Sequence, residues 1–253
     1  MLAELLELAP SGVEEVAVSD EVVEYAVYGA PGELPELPAL RAAAGGAFVD
    51  VRTEEIADDW AQRWRSFHQP LEIGDRLTVR PPWEPPGRTL VDVVIDPGQA
   101  FGTGAHATTR LCLELMLDAE AGGSFVDVGC GSGVLAIVAA KLGWDPVTAL
   151  DYDAAAIDAT RENAARNRLV LEARHFDLRT GQVPDADFVV ANVLAGPLRT
   201  WAATQYDLPP RLILSGLLGT EADGVAAAFI ARGMAERARC ARGEWAALEL
   251  VRA

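Results

Sequence analysis

Lysine is nearly absent from this chain. Lys141 is the only one in 253 residues, and 21 Lys plus Arg face 38 Asp plus Glu, for a formal net charge of −17. A surface so poor in positive charge repels a phosphate backbone, so direct nucleic-acid binding is not expected, and a basic partner suits it. Cysteine is also scarce. Cys112, Cys130 and Cys240 are widely spaced and form no CxxC pair, which argues against a disulfide framework or a zinc site and fits a reducing cytoplasm. The three histidines, His68, His106 and His175, lie far apart without ligand spacing, so no metal is expected. No apolar run approaches the ~20 residues needed to span a bilayer. Glu4 and Glu7 interrupt the apolar start and no basic residue precedes it, so a signal peptide is not expected. These absences lead to the expectation of a cytoplasmic protein away from membranes, taken as a monomer.

What the chain does contain is apolar. Half of its residues are hydrophobic and its mean hydropathy is +0.13, which argues against disorder despite the charge. The length allows one large domain or two unequal ones. Residues 1–53 read as a small α+β unit, with a short helix over Leu2–Ala9, strands at Val13–Val18 and Val22–Tyr28, a helix within Leu34–Ala44 and a strand at Phe48–Val51. Residues 54–70 read as a linking helix with Ile56, Trp60, Trp64 and Phe67 on one face. That stripe suits core packing between domains, or less readily the gripping of a partner. The prolines between Pro70 and Gly87 break regular structure, with an extended Leu77–Arg80 among them.

From Leu90 the pattern alternates. Strands are expected at Leu90–Ile95, Phe125–Val128, Val147–Leu150, Leu169–Arg174, Phe188–Ala191, Leu212–Leu214 and Glu244–Val251, with helices such as Thr108–Leu117, Val134–Leu142 and Ala154–Asn167 between them. Alternation of this kind predicts an α/β fold with an open, mostly parallel, seven-stranded Rossmann-like sheet covered on both faces.

Three stretches carry chemistry. The first is Val126-Asp127-Val128-Gly129-Cys130-Gly131-Ser132-Gly133, with Asp151 ending the next strand. Glycines at a strand-to-helix turn admit a ligand close to the backbone and to free helix N–H groups, and an acid at the tip of the second strand suits a ribose diol. The spacing is G-x-G-x-G, not the G-x-G-x-x-G of a dinucleotide site. Asp127 beside a pyrophosphate would be unfavourable, but beside a sulfonium or α-amino group it would not. S-adenosylmethionine is therefore preferred over a nicotinamide cofactor, and a plain glycine turn is the bland alternative. The second stretch is Asp96 to Thr109, which gathers Phe101, Thr103, Gly104, His106, Thr108 and Thr109 in a loop before a helix. It offers hydroxyls and amides to a carboxylate and an aromatic face to a cation; alternatively Thr108 merely caps the helix. The third is Phe188-Val-Val-Ala-Asn192, where a polar side chain ends an apolar strand at the edge on which ligands bind. Its amide oxygen suits a substrate amine, or else it caps the helix near Pro197.

Together these stretches resemble the PrmA family, the bacterial methyltransferases of large-subunit ribosomal protein eleven. The run Phe101-Gly-Thr-Gly-x-His106-x-Thr108-Thr109 is the most specific likeness, joined by Asp127-x-Gly129-x-Gly131-Ser-Gly133, Asn192-Val-Leu-Ala-Gly-Pro-Leu198 and the run from Asp59-Trp60 to His68. The resemblance implies a class I methyltransferase domain at 71–253 behind a ferredoxin-like recognition domain at 1–53. This chain departs from it by starting in what would be the first helix, so that either the first strand is absent or the start is truncated. The resemblance also implies S-adenosylmethionine contacts at Thr109, Gly129, Asp151 and Asn192, and methylation of amino groups of a lysine-rich ribosomal protein. For that reaction Asn192 is read as the catalytic residue, orienting the amine lone pair. Gly131, Gly133, Phe101, Thr103, Gly104, His106 and Thr108 join the cofactor set on the chemistry above. Tyr152, where the family more often has Ile, can still cover an adenine, and Asp177 could accept from its amino group or be a solvated loop acid. The competing readings are a methyltransferase for another protein or a small molecule, a nicotinamide dehydrogenase, and a non-catalytic module that keeps the pocket.

Overall fold

The computed structural model describes residues 13–18, 23–27, 69–97 and 106–253. The helices expected before residue 69, the strand at 48–51 and the aromatic stripe at 56–67 lie outside the described residues. The chain divides into two compact units, Met1–Ala61 and Gln62–Ala253. In the first, β1 (Val13–Val18) and β2 (Val23–Val27) pair antiparallel, with a register shift between Glu15 and Ala17.

Among the described residues the second unit holds two sheets. A small one joins β3 (Leu71–Ile73), β4 (Leu77–Arg80) and β5 (Val91–Val94), with β3 antiparallel and β5 parallel to β4. Arg80 pins the proline-rich turn after β4, donating to both Asp92 carboxylate oxygens at 2.8 Å and to Glu84 O at 2.7 Å. The large sheet has seven strands in the order β11-β12-β10-β9-β6-β7-β8. These are β6 (Phe125–Val128), β7 (Val147–Asp151), β8 (Glu172–His175), β9 (Phe188–Asn192), β10 (Arg211–Leu218), β11 (Met234–Arg242) and β12 (Trp245–Arg252). All pairs from β10 to β8 are parallel, and β11 and β12 are antiparallel additions.

Among the described residues five helices cover this sheet: α1 (Ala107–Leu117), α2 (Val134–Leu142), α3 (Ala154–Arg166), α4 (Ala195–Thr204) and α5 (Gly219–Ile230). The apolar runs of the central strands separate at period two into two cores, as expected for strands buried on both faces. Phe125, Phe188, Val190 and Ile213 pack with α1, α2 and α3, whereas Val126, Val128, Val189, Ala191, Leu212 and Leu214 pack with α4 and α5. Trp144, Phe125 and Phe188 form an aromatic cluster at the amino edge, with ring centroids 5.1–5.9 Å apart.

The sheet has the expected seven strands, but Leu90–Ile95 is not among them. Its core, β5, lies in the small sheet, and Met234–Arg242 takes the seventh place. That strand was not legible because it runs along an exposed edge and reads Met-Ala-Glu-Arg-Ala-Arg-Cys-Ala-Arg. Its less exposed residues are Met234, Ala235, Ala238 and Cys240, and a register shift between Glu236 and Ala238 breaks the alternation, so it carries little hydropathy signal. The strand expected at Leu169–Arg174 begins at Glu172 instead. Residues after α3 first turn through Arg168 at φ +60°, and pairing with β7 starts only at Thr148↔Glu172.

Two buried asparagines, Asn163 in α3 and Asn167 capping its C-terminus, tie the small sheet to the large one. Asn167 accepts from Val94 N at 3.0 Å and donates to Val94 O at 2.6 Å and Asn163 O at 2.8 Å. Asn167→Ala would leave both backbone groups of Val94 without these partners. It is expected to lower stability by about 1–3 kcal/mol in urea denaturation, and a loss below ~0.5 kcal/mol would contradict this account.

Candidate cofactor and amine site

The connections place a topological switch point between β6 and β9. The chain leaves β6 towards β7 and β8, then crosses back to β9 on the other side of β6. In open α/β sheets ligands bind at the carboxyl ends of the strands flanking such a point. Here Gly129 follows β6, Asn192 ends β9 and Asp151 ends β7.

The glycine loop is held from several directions. Gly129 N and Cys130 N both donate to Leu150 O, at 2.8 and 3.0 Å, and Thr160 Oγ1 donates to Gly131 O at 3.0 Å. Gly129 has φ +74°, and a Cβ there would stand 2.3 Å from Val193 Cγ1. Only glycine lets the loop lie against the end of β9 in this way. Asp151 accepts from Gly131 N and Asp153 N, each at 3.0 Å, one on each carboxylate oxygen. A carboxylate offers about four acceptor sites, so two remain for a diol. Tyr152 beside it is 68% exposed and presents a ring at the loop.

Asp127 is fully buried. Its Oδ2 accepts from Ala136 N at 3.1 Å, while Oδ1 is buried with no partner. Burial pushes its carboxyl up to about 7, against the pull of the Ala136 N–H and with a further push from the charge of Asp151. In β6 it occupies the core-facing position that a hydrophobe would normally fill, between Ala149 of β7 and Val190 of β9.

Asn192 does not cap a helix. α4 starts at Ala195 with Leu194 as its N-cap, and Asn192 Nδ2 instead donates to Thr109 Oγ1 at 3.4 Å. Thr108 is not the cap of α1 either. His106 takes that place, with Nδ1 3.4 Å from Thr108 N and 2.8 Å from Thr108 Oγ1. The His106 ring meets Trp245 edge-on at 5.0 Å, and burial lowers its pKa below the usual histidine value.

Among the expected site residues, His106, Thr108, Thr109, Gly129, Gly131, Gly133, Asp151, Tyr152 and Asn192 thus belong to the carboxyl edge of the sheet or the helices beginning there. Phe101, Thr103 and Gly104 lie outside the described residues. Asp177 follows β8 at the same edge, but its carboxylate is forked onto Arg179 Nε and Nη2 at 2.8–3.2 Å. That guanidinium and the Arg179 backbone N–H hold it down at about 2.

Sequence reasoning missed three supporting residues. Asn163 accepts from Asp96 N at 2.9 Å and donates to Ser132 O at 3.0 Å, joining the start of one loop to the other. Thr160 braces the glycine loop, and Ser215 donates to Thr108 O at 3.4 Å and Ala246 O at 3.2 Å. The available signal was polar residues at 160 and 163 on the buried stripe of α3, where a helix normally places hydrophobes, and at 167 just past its end. Among the described residues no cluster of three or more His, Cys, Asp or Glu could hold a metal ion, and no helix is long and apolar enough to cross a membrane.

The family profile described as "Ribosomal protein L11 methyltransferase (PrmA)" matches residues 26–253. The chain belongs to this family. A ribosomal protein L11 methyltransferase of Pectobacterium carotovorum is 48% identical over 187 residues, which are 70% of this chain and 63% of that protein. One from Sodalis glossinidius is 43% identical over 194 residues, 74% of this chain and 66% of that protein. The chain thus spans just under two thirds of the length of these relatives. The crystal structure of a ribosomal protein L11 methylase from Lactobacillus delbrueckii superposes with a TM-score of 0.66 at 27% identity, covering 74% of this chain and 98% of that one. A Pyrococcus horikoshii structure at 18% identity and TM-score 0.51, covering 61% of this chain and 87% of the other, shares the fold alone. The PrmA family match takes in every residue of the site described above.

Proposed function

We propose that this chain is an S-adenosylmethionine-dependent protein N-methyltransferase whose substrate is ribosomal protein L11, methylated at lysine side chains, at the N-terminal amine, or at both. In this reading residues 71–253 carry the transfer, residues 1–53 recognise the substrate, and the enzyme works in the cytoplasm as a monomer without binding nucleic acid. The observation that carries it is Asn192 at the switch point, one strand from the glycine loop and tied to Thr109. Family membership and the names of the relatives support the choice of substrate, as does a net charge of −17 facing a basic protein.

S-adenosylmethionine supplies a methyl group on a sulfonium sulfur. The residues present fit it: Asp151 for the ribose, Gly129, Gly131 and Gly133 for close backbone approach, Tyr152 for the adenine, and the buried Asp127 near the cationic end, whereas all the acceptor sites of Asp177 are taken by Arg179. Phe101, Thr103, Gly104, His106, Thr108 and Thr109 complete the set. A lysine amine has an unperturbed pKa of ~10.4 and reacts only as the neutral form. A poorly hydrated mouth lowers that value, and the Asn192 amide oxygen, accepting from the amine, aims its lone pair. Catalysis then rests mainly on positioning.

The test is transfer of labelled methyl from S-adenosylmethionine to purified L11 of the same organism, with cofactor affinity measured alongside. Label on L11 is expected. Label on other proteins of a cell extract but not on L11 would overturn the substrate, and cofactor binding without any transfer would overturn the activity.

A further inference from the structure

Among the described residues five helices begin at the carboxyl edge of the large sheet, and they do not begin alike. α3 starts on Asp153, whose carboxylate accepts from Ala155 N at 2.9 Å, an ordinary cap. The two helices that follow β9 and β10 start on Leu194 and Leu218, whose side chains accept nothing. α5 is the sharper case. Glu221 Oε2 accepts from Leu218 N at 3.0 Å, which is one half of the reciprocal S-x-x-E cap that serine at 218 would complete. Neither leucine is core, since Leu194 is 69% and Leu218 38% exposed.

Register brings both to the proposed amine site. Asn192 pairs with Ser215, and Val193 N donates to Ser215 O at 3.1 Å. Leu194 lies two residues past Asn192 and Leu218 three past Ser215. Leu218 pairs in turn with Trp245, the residue whose ring meets His106. Glu221 and Glu244 add negative charge beside them, Glu244 O accepting from Gly219 N at 2.7 Å. Two helix starts thus forgo a polar cap and keep alkyl groups in water, two residues past Asn192 and three past its strand partner Ser215, with Glu221 in α5 and Glu244 next to Trp245.

We propose that Leu194 and Leu218 form the sides of a slot that grips the alkyl stem of a lysine side chain reaching towards Asn192, while Glu221 and Glu244 draw the cationic substrate to it. The inference rests on the amine-methylation reading and adds the residues that hold the substrate. A lysine stem buries readily along apolar surface, and burial next to it disfavours the charged amine, which must lose its proton before reaction.

Leu194→Ser and Leu218→Ser test this with purified L11 of the same organism as substrate. Each is expected to lower kcat/KM for L11 by about 10–100-fold and to leave the cofactor Kd within about twofold. Because each serine supplies the missing cap acceptor, Tm should hold or rise by about 2–4 °C. Lost rate with equal or greater stability does not come from a folding defect. Leu194→Met and Leu218→Met, which keep the apolar surface, should stay within about threefold of wild type. Serine variants as active as wild type would overturn the slot alone, as would a joint loss of Tm and cofactor affinity. A wild type that binds cofactor but never methylates L11 would overturn the functional reading and the slot with it.

Discussion

Asn192→Ala is expected to lower turnover of methyl transfer by about 10²–10³-fold while cofactor Kd changes far less. The side chain ends β9 half-buried at the switch point, and among the described residues its hydrogen bond is the 3.4 Å one to Thr109 Oγ1. A bond that long adds little to folding, so stability should fall by no more than about 1 kcal/mol. The rate loss comes from the substrate side. Without the amide oxygen nothing in this strand end orients the amine, and a small misalignment of attacking lone pair and methyl carbon is costly. Single-turnover assays with saturating cofactor, beside a thermal melt, separate the two effects. Turnover within about threefold of wild type in a folded variant would remove Asn192 from the mechanism.

The second large effect is in stability against pH and comes from Asp127. Its carboxyl titrates at about 7 when folded, far above the ~3.9 of an unfolded chain. Between those values the folded state holds a proton the unfolded state has released, so stability falls as pH rises. Below about pH 4 both states are protonated, and above about pH 7 both are ionised and the loss is constant. Integrated over that window, the linkage amounts to about 2–4 kcal/mol. Asp127→Asn keeps an acceptor for Ala136 N but cannot ionise. Its amide replaces an oxygen that has no partner, a cost of about 1–3 kcal/mol that does not vary with pH. The variant's stability relative to wild type should therefore climb from pH 5 to pH 7 and level off above it. Urea denaturation at pH 5 and pH 8 reads this directly. Parallel curves for the two proteins would show that Asp127 does not titrate in this range.

How much of this was legible beforehand depended on whether the signal was local. The glycine loop, Asp151 at the end of β7 and Asn192 at the end of an apolar strand could be read because each is set by its immediate neighbours. A strand buried on both faces must be apolar, and glycines after it must relieve a tight turn. The same reasoning placed the helices at 107–117, 134–142 and 154–166 to within a residue or two. It failed at Met234–Arg242, an edge strand with polar outward residues and an alternation broken by a register shift between Glu236 and Ala238. It also failed to separate β5 from the large sheet, because an apolar run does not say which neighbour it will pair with.

The amino-acid sequence by itself thus determined the family, the α/β class, the acidic surface and the identity of the groups at the cofactor loop. Only the tertiary structure decided their assembly. It put the switch point between β6 and β9, made His106 rather than Thr108 the cap of α1, and left Leu194 to start α4 so that Asn192 faces Thr109. It also set Asn163 between two loops that are 36 residues apart at Asp96 and Ser132. The reason is physical. A residue's local preference follows from its own backbone and nearest neighbours, whereas a hydrogen-bond partner or a burial-driven pKa depends on residues that meet only when the sheet closes between its two layers of helices.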